Sequence, residues 1–184
     1  RALEKDNKLL DLLKNKYSKN HKVIFLEEDI FTLDLNNFNN LIIISNLPYN
    51  ISTKIILYLF NFNKNIYELI IMIQKEVALK FDYNLPKMNK YKFLTYIVSI
   101  YSRLFDVSSK VFVPKPKVKS TVVKFRFIKK DFDREKAIKF SNLIFKNIRK
   151  KINNNISLKN SSKLLEKRVN QLTIDELFNI YNFF

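Results

Sequence analysis

The chain has 184 residues, enough for one domain or one with a small appendage, and its 47% apolar content with 17 Phe and 9 Tyr supports a packed core and excludes wholesale disorder. It has no Cys, no Gly and one His (His21), which excludes disulfide frameworks, thiolate and multi-histidine metal sites, cysteine nucleophiles and any Gly-rich phosphate cradle within this stretch. The net charge of +17, from 34 basic and 17 acidic residues, points to a polyanionic partner, nucleic acid before a membrane surface.

Along the chain, residues 2–3 read as the end of a strand and residues 6–17 as a helix, with Leu9, Leu10, Leu12 and Leu13 among Lys and Asn. Residues 23–26 are a short apolar run that ends in Glu27-Glu28-Asp29. Residues 41–44 are another, closed by Ser45-Asn46-Leu47-Pro48-Tyr49. Residues 52–62 read as a helix capped by Ser52 or Thr53. Residues 69–73 are a third apolar run, with a helix after it over 74–83. Continuous apolar runs alternating with amphipathic helices predict a parallel sheet covered on both faces. Residues 91–102 fit a strand or a helix, and residues 106–113 and 120–128 are strand-like, the latter with Val122, Val123, Phe125 and Phe127. Between them Val113-Pro114-Lys115-Pro116-Lys117 reads as a rigid extended linker. Residues 131–156 read as one basic helix and residues 173–184 as another, with Thr173 and Glu176 in a capping-box pattern. The expected division is an α/β domain over 1–128 and a small helical domain over 129–184. Phe60, Phe62, Tyr96 and Tyr101 are expected in the core, and His21 in a surface loop. No run of 18 uncharged apolar residues exists to span a membrane, and the N-terminal stretch has no signal-peptide pattern.

In an open α/β sheet, ligands bind at the carboxyl ends of the strands. Glu4, Asp29 and Asn46 stand at three such ends. A carboxylate there can take a ribose diol, and a second can accept from an adenine amino group. The alternative for each acid is a helix cap or a solvated loop. Asn46-Leu47-Pro48-Tyr49 is more specific. Pro48 fixes the turn and lacks an N–H, so the neighbouring carbonyls are held out at the sheet edge. The Asn46 side-chain oxygen and one such carbonyl can accept both hydrogens of an exocyclic amine, while Tyr49 offers a face for a base. An ordinary Asn-x-Pro turn is the competing reading.

Residues 110–151 hold 15 basic and 3 acidic residues, so most of the net charge is local. Lys115, Lys117 and Lys119 alternate and share a face if extended. With Arg149, Lys150 and Lys151 they can grip RNA phosphates. With 28 Lys and 23 Asn, compositional drift that leaves lysines on solvated faces is the other explanation.

Ser45-Asn46-Leu47-Pro48-Tyr49-Asn50-Ile51-Ser52-Thr53 resembles the signature of the ribosomal RNA adenine N6-dimethylase family. Leu3-Glu4-Lys5-Asp6, Glu28-Asp29-Ile30 and Gln74-Lys75-Glu76-Val77-Ala78 resemble further family segments in the same order. Phe112-Val113-Pro114-Lys115-Pro116-Lys117-Val118-Lys119-Ser120 is similar to the family's Phe-x-Pro-x-Pro-x-Val-x-Ser stretch. Phe145, Arg149-Lys150-Lys151 and Asn154 resemble its basic C-terminal helix, and residues 168–172 its last turn. The resemblance implies a Rossmann-like methyltransferase sheet with a small helical domain. It implies S-adenosylmethionine as methyl donor, held by Glu4, Asp29 and Asn46, and no metal. Asn46, Leu47, Pro48 and Tyr49 would be catalytic, and Tyr49 and Phe112 would enclose the target base. Lys115, Lys117, Lys119, Arg149, Lys150 and Lys151 would bind RNA. The expected partner is small-subunit ribosomal RNA, the expected enzyme a cytoplasmic monomer, with an organelle as the other location.

Ser45 stands where the family usually has Gly, and Ile148 where it usually has Arg. The family's Gly-rich cofactor loop and first strand have no counterpart here, so the sequence is expected to be an N-terminally truncated piece. That strand belongs between the ones ending at Glu4 and at Asn46, and its lack leaves two edges unpaired. The implied chemistry is direct in-line methyl transfer without a covalent enzyme intermediate. Two alternatives share the fold: a non-catalytic RNA-binding assembly factor, and a resistance methylase of large-subunit RNA. Leu47 and the Arg149-Lys150 pair favour the small-subunit enzyme.

Overall fold

In the computed structural model, which describes residues 1–114, 116–129, 133–157 and 163–184, the chain falls into two units, Arg1–Asn37 and Phe38–Phe184. The first is built on two short parallel strands, β1 (Ala2–Glu4) and β2 (Phe25–Glu27). Helix α1 (Asn7–Lys16) connects them and packs on both. Asp6 caps it by accepting the N–H of Leu9, which satisfies one of the free donors of the first turn. Leu10 is buried, whereas Leu9 and Leu12 are exposed.

The second unit holds a mixed sheet in the order β3-β4-β6-β5. β3 (Leu41–Asn46) runs parallel to β4 (Ile66–Gln74). β6 (Ser120–Phe127) is antiparallel to both β4 and β5 (Ser99–Val107). The apolar runs from which a parallel sheet is read do pair in parallel, β1 with β2 and β3 with β4. The β4–β6 and β6–β5 pairs are antiparallel, and the β5–β6 connection needs no crossover helix. Among the described residues β1 bonds to β2 alone and β3 to β4 alone, so each presents an unpaired edge.

One face of the mixed sheet forms the core. Leu69, Ile71 and Ile73 of β4, Val123, Phe125 and Phe127 of β6 and Tyr101 of β5 alternate inward and are buried. Helix α2 (Ser52–Leu59), a 3-10 turn at Phe60–Phe62 and helix α3 (Lys75–Phe81) bring Ile55, Ile56, Leu59, Phe60, Val77 and Phe81 to this core. Phe60 sits edge-on to Phe81, Phe125 and Phe127 at 5.7–6.2 Å between ring centres. The opposite face leaves Ile42, Ile44 and Ile100 exposed, so the expected cover on both faces is not present at these positions.

Residues 91–102 prove to be both helix and strand: α4 (Lys90–Val98) passes directly into β5 at Ser99, whose backbone is extended. Of residues 106–113 only the first two are strand, as the end of β5. β5 stops at Val107, and Ser108 caps a 3-10 turn over Ser109–Val111 by accepting the Lys110 N–H. Neither Ser52 nor Thr53 caps α2. Ile51 occupies the cap, and the Ser52 hydroxyl turns back to the Tyr49 carbonyl.

The basic helix expected over 131–156 is shorter. α5 spans Arg134–Lys146, and residues 131 and 132 lie outside the described residues. Its buried stripe of Ala137, Phe140 and Ile144 is not continued by Asn147. The Asn147 carbonyl instead accepts the Lys150 N–H and the Asn155 side-chain amide. α6 (Ile174–Phe183) carries the full capping box, Thr173 and Glu176 each accepting the other's N–H. The boundary expected at 128/129 falls inside the second unit, where Phe93 of α4 meets Phe140 of α5 and Tyr181 of α6 at 5.1 and 5.6 Å. Phe60 and Tyr101 are fully in the core, while Phe62 and Tyr96 are half-buried. His21 is exposed. No helix among the described residues is long and apolar enough to cross a membrane.

Candidate target-base site

β3 delivers Asn46 at its carboxyl end, exposed, with its side-chain amide unbonded among the described residues. The next residue anchors the turn. Leu47 is buried, and its N–H donates to the Met72 carbonyl of β4 at 3.2 Å. Two of the three following carbonyls are already used. The Pro48 carbonyl accepts the Ile51 N–H at 3.2 Å, and the Tyr49 carbonyl accepts the Ser52 hydroxyl at 3.1 Å. That leaves the Leu47 carbonyl without a hydrogen bond among the described residues.

The turn borders a cavity of about 430 Å³. Asn46, Leu47, Pro48 and Tyr49 line it together with Phe112, Val113, Pro114 and Pro116 from the segment between β5 and β6. It is an open depression whose lining combines apolar side chains with the polar groups of Asn46 and Tyr49. The sequence motifs 46–49 and 112–120 are thus brought to one place. The Tyr49 hydroxyl is hydrogen-bonded to the Ser120 hydroxyl at 2.6 Å, and Ser120 is fully buried. Ser120 carries no role in the motif reading, although its place as the last residue of the Phe-x-Pro-x-Pro-x-Val-x-Ser stretch could have pointed to it.

The base of that stretch is braced. The Lys75 N–H donates to the Lys119 carbonyl at 2.9 Å. The Lys75 ammonium and the Thr121 hydroxyl both reach Asp106, at 2.5 and 2.7 Å. Those two partners hold the Asp106 carboxyl below the usual carboxylate range. A larger cavity of about 560 Å³ lies against α5 and Phe184, and no predicted site residue lines it.

Glu4 and Asp29 belong to the first unit, at the ends of β1 and just past β2. One Glu4 oxygen accepts the N–H groups of Lys5 and Asp6 at 2.9 and 3.0 Å, which orients the carboxylate. Asp29 accepts the Lys5 ammonium at 2.8 Å and the Phe31 N–H at 3.0 Å. The Lys5 bond first, then the Phe31 bond, keep its carboxyl below the usual range. The described residues contain no group of three or more His, Cys, Asp or Glu able to hold a metal.

The basic residues lie on different elements. Lys117 and Lys119 are exposed and make no ion pair among the described residues, and Lys115 lies outside them. Arg149 and Lys150 are exposed in the turn after α5, not on the helix. Lys151 is bonded to Glu166 at 2.6 Å, so part of its charge is already answered.

The family described as ribosomal RNA adenine dimethylase matches residues 1–184. Proteins called ribosomal RNA small subunit methyltransferase A are similar. The one from Mycoplasma capricolum is 32% identical over 98% of this chain and 77% of its own length. Those from Malacoplasma penetrans and Thermotoga maritima are 39% and 36% identical, over 84% and 98% of this chain and 58% and 65% of their own. The chain thus spans less than two thirds of the latter two. Among solved structures, a dimethyladenosine transferase from Plasmodium falciparum superposes with a TM-score of 0.77 at 18% identity, covering 99% of this chain and 83% of that one. The 23S rRNA methyltransferase ErmE does so with 0.75 at 16% identity, covering 98% and 80%. At those identities the two establish the fold alone, a Rossmann-like one.

Proposed function

The chain belongs to the ribosomal RNA adenine dimethylase family, and from that premise we propose that it is the base-holding part of an enzyme that dimethylates the N6 of adenines in small-subunit ribosomal RNA. The observation that carries this reading is the cavity shared by Asn46, Leu47, Pro48, Tyr49 and Phe112. An exocyclic amine has two hydrogens, and the site offers two acceptors unbonded among the described residues, the Asn46 side-chain oxygen and the Leu47 carbonyl. Accepting both hydrogens favours a tetrahedral nitrogen whose lone pair leaves the ring and becomes nucleophilic. The same two dipoles stabilise the positive charge that develops there. Tyr49 and Phe112 supply the apolar faces that hold an adenine turned out of its RNA stack. The proton leaves to water after transfer, so no side chain is assigned as general base.

The methyl donor is S-adenosylmethionine, which when bound supplies an electrophilic methyl group. The donor set of the first unit fits it in chemistry. Glu4 keeps one carboxylate oxygen without a partner among the described residues, suited to a ribose hydroxyl. The Asp29 oxygens have lone pairs beyond those used by Lys5 and Phe31, suited to an adenine amino group. Lys117, Lys119, Arg149 and Lys150 are the cations we assign to RNA phosphates. The enzyme acts as a cytoplasmic monomer on the small ribosomal subunit.

The reading is tested with the full-length protein that carries this chain, labelled S-adenosylmethionine and small-subunit ribosomal RNA. Nucleoside analysis is expected to show label in N6,N6-dimethyladenosine. No label in the RNA supports the assembly-factor alternative, and label only in large-subunit RNA supports the resistance methylase.

A further inference from the structure

Tyr49 is gripped at both ends. Its carbonyl takes the Ser52 hydroxyl, and its phenol oxygen lies 2.6 Å from the Ser120 oxygen. Ser120 is a fixed point. It is fully buried, it opens β6, and it is in register with Gln74 of β4 on one side and Val107 of β5 on the other. It also ends the segment that carries Phe112, whose last link, Lys119, is tied by its carbonyl to Lys75. The bond therefore joins the two segments that line the cavity. A tyrosine stacking platform needs only its face, and a phenylalanine would supply that equally. The hydroxyl is spent on this bond.

We propose that Ser120 is a positioning residue whose hydroxyl fixes the Tyr49 ring and so sets the slot between Tyr49 and Phe112 in which the target base is held. The proposal rests on the reading of this cavity as the adenine site. With the hydroxyl bond in place the ring cannot swing about its side-chain torsions. Without it the base is still bound by the remaining contacts, but its amine is less well aligned with the Asn46 and Leu47 acceptors.

The test uses the full-length protein and four variants: Ser120→Ala, Tyr49→Phe, the two combined, and Ser120→Thr. Single-turnover methyl transfer, RNA affinity and the unfolding midpoint are measured for each. Ser120→Ala and Tyr49→Phe should each slow transfer roughly tenfold, the scale of a sub-ångström misplacement, with RNA affinity within about twofold. The double variant should be no slower than the slower single one, because both remove the same bond. Ser120→Thr keeps the hydroxyl and should recover most of the rate. In protein labelled at the tyrosine ring carbon that bears oxygen, the resonance missing from Tyr49→Phe should move in Ser120→Ala. Rates that add in the double variant, or a Ser120→Ala variant with a lower unfolding midpoint and an unchanged rate, would overturn the role of Ser120 and leave the adenine site standing. A parent protein that methylates no adenine would overturn the site itself, and the role of Ser120 with it.

Discussion

Replacing Asn46 by alanine separates chemistry from folding. The side chain is exposed at the end of β3 and makes no hydrogen bond among the described residues, so its removal should change stability by less than about 0.5 kcal/mol. In the proposed transition state the same amide oxygen is one of two acceptors on the reacting nitrogen. Loss of one such preorganised group typically costs about 2.7–4 kcal/mol, or 10²–10³ in rate. The Leu47 carbonyl remains, held by the anchoring of Leu47 to Met72, so the loss should lie toward the lower end. Single-turnover transfer to small-subunit RNA by the full-length protein measures it, with RNA affinity measured in parallel and expected to be unchanged. Asn46→Asp keeps an oxygen in place and should lose less. An Asn46→Ala rate within about threefold of the parent, less than 1 kcal/mol in the barrier, would refute the claim that Asn46 holds the amine.

Glu substituted together at Lys117, Arg149 and Lys150 should weaken RNA binding and flatten its salt dependence, by about 0.7–0.9 in slope for each phosphate no longer neutralised, read from titrations at several salt concentrations. Lys151→Ala should matter less, because Glu166 already neutralises that charge. The Tyr96 hydroxyl donates to Asp175, and this bond with partial burial pushes its pKa up to about 12. A folded pKa above the unfolded value of about 10 means that the bond's stabilisation is complete below pH 10 and is lost as pH rises toward the folded value. Asp175→Asn should bring the Tyr96 titration down, which a ring-carbon-labelled NMR titration would detect. Phe140 is fully buried against Phe93, Tyr181 and Phe184, so Phe140→Ala should cost about 3–5 kcal/mol in denaturant unfolding.

The features legible in the sequence are local. Asn46-Leu47-Pro48-Tyr49 can be read because Pro48 and the end of an apolar run dictate a turn at a strand's carboxyl end, and the α6 capping box because its partners are three residues apart. Residues 91–102 could not be split by pattern. Their apolar content suits either state, and pairing of residues 99–107 with β6 makes the second half a strand. The antiparallel placement of β6 is likewise a tertiary outcome, since its alternation fits either direction. α5 is short because Asn147 leaves the helical backbone as its C-cap, and Ile148, which could have extended the stripe, is exposed beyond it. Ser52 looks like a cap by type, but its hydroxyl has a better use on the Tyr49 carbonyl. The bond between Tyr49 and Ser120 joins residues 71 apart, and the Phe-x-Pro-x-Pro-x-Val-x-Ser stretch marks Ser120 without naming its partner.

In the proposed complex an adenine sits in the cavity between Tyr49 and Phe112 with its amine on Asn46 and Leu47. The most direct test is a structure of the full-length protein on the small ribosomal subunit with a non-reactive analogue of the methyl donor. The expected result is density for one adenine turned out of its helix into that cavity, its N6 at hydrogen-bond distance from the Asn46 side-chain oxygen and the Leu47 carbonyl. An empty cavity, with the target adenine bound at another surface, would contradict it.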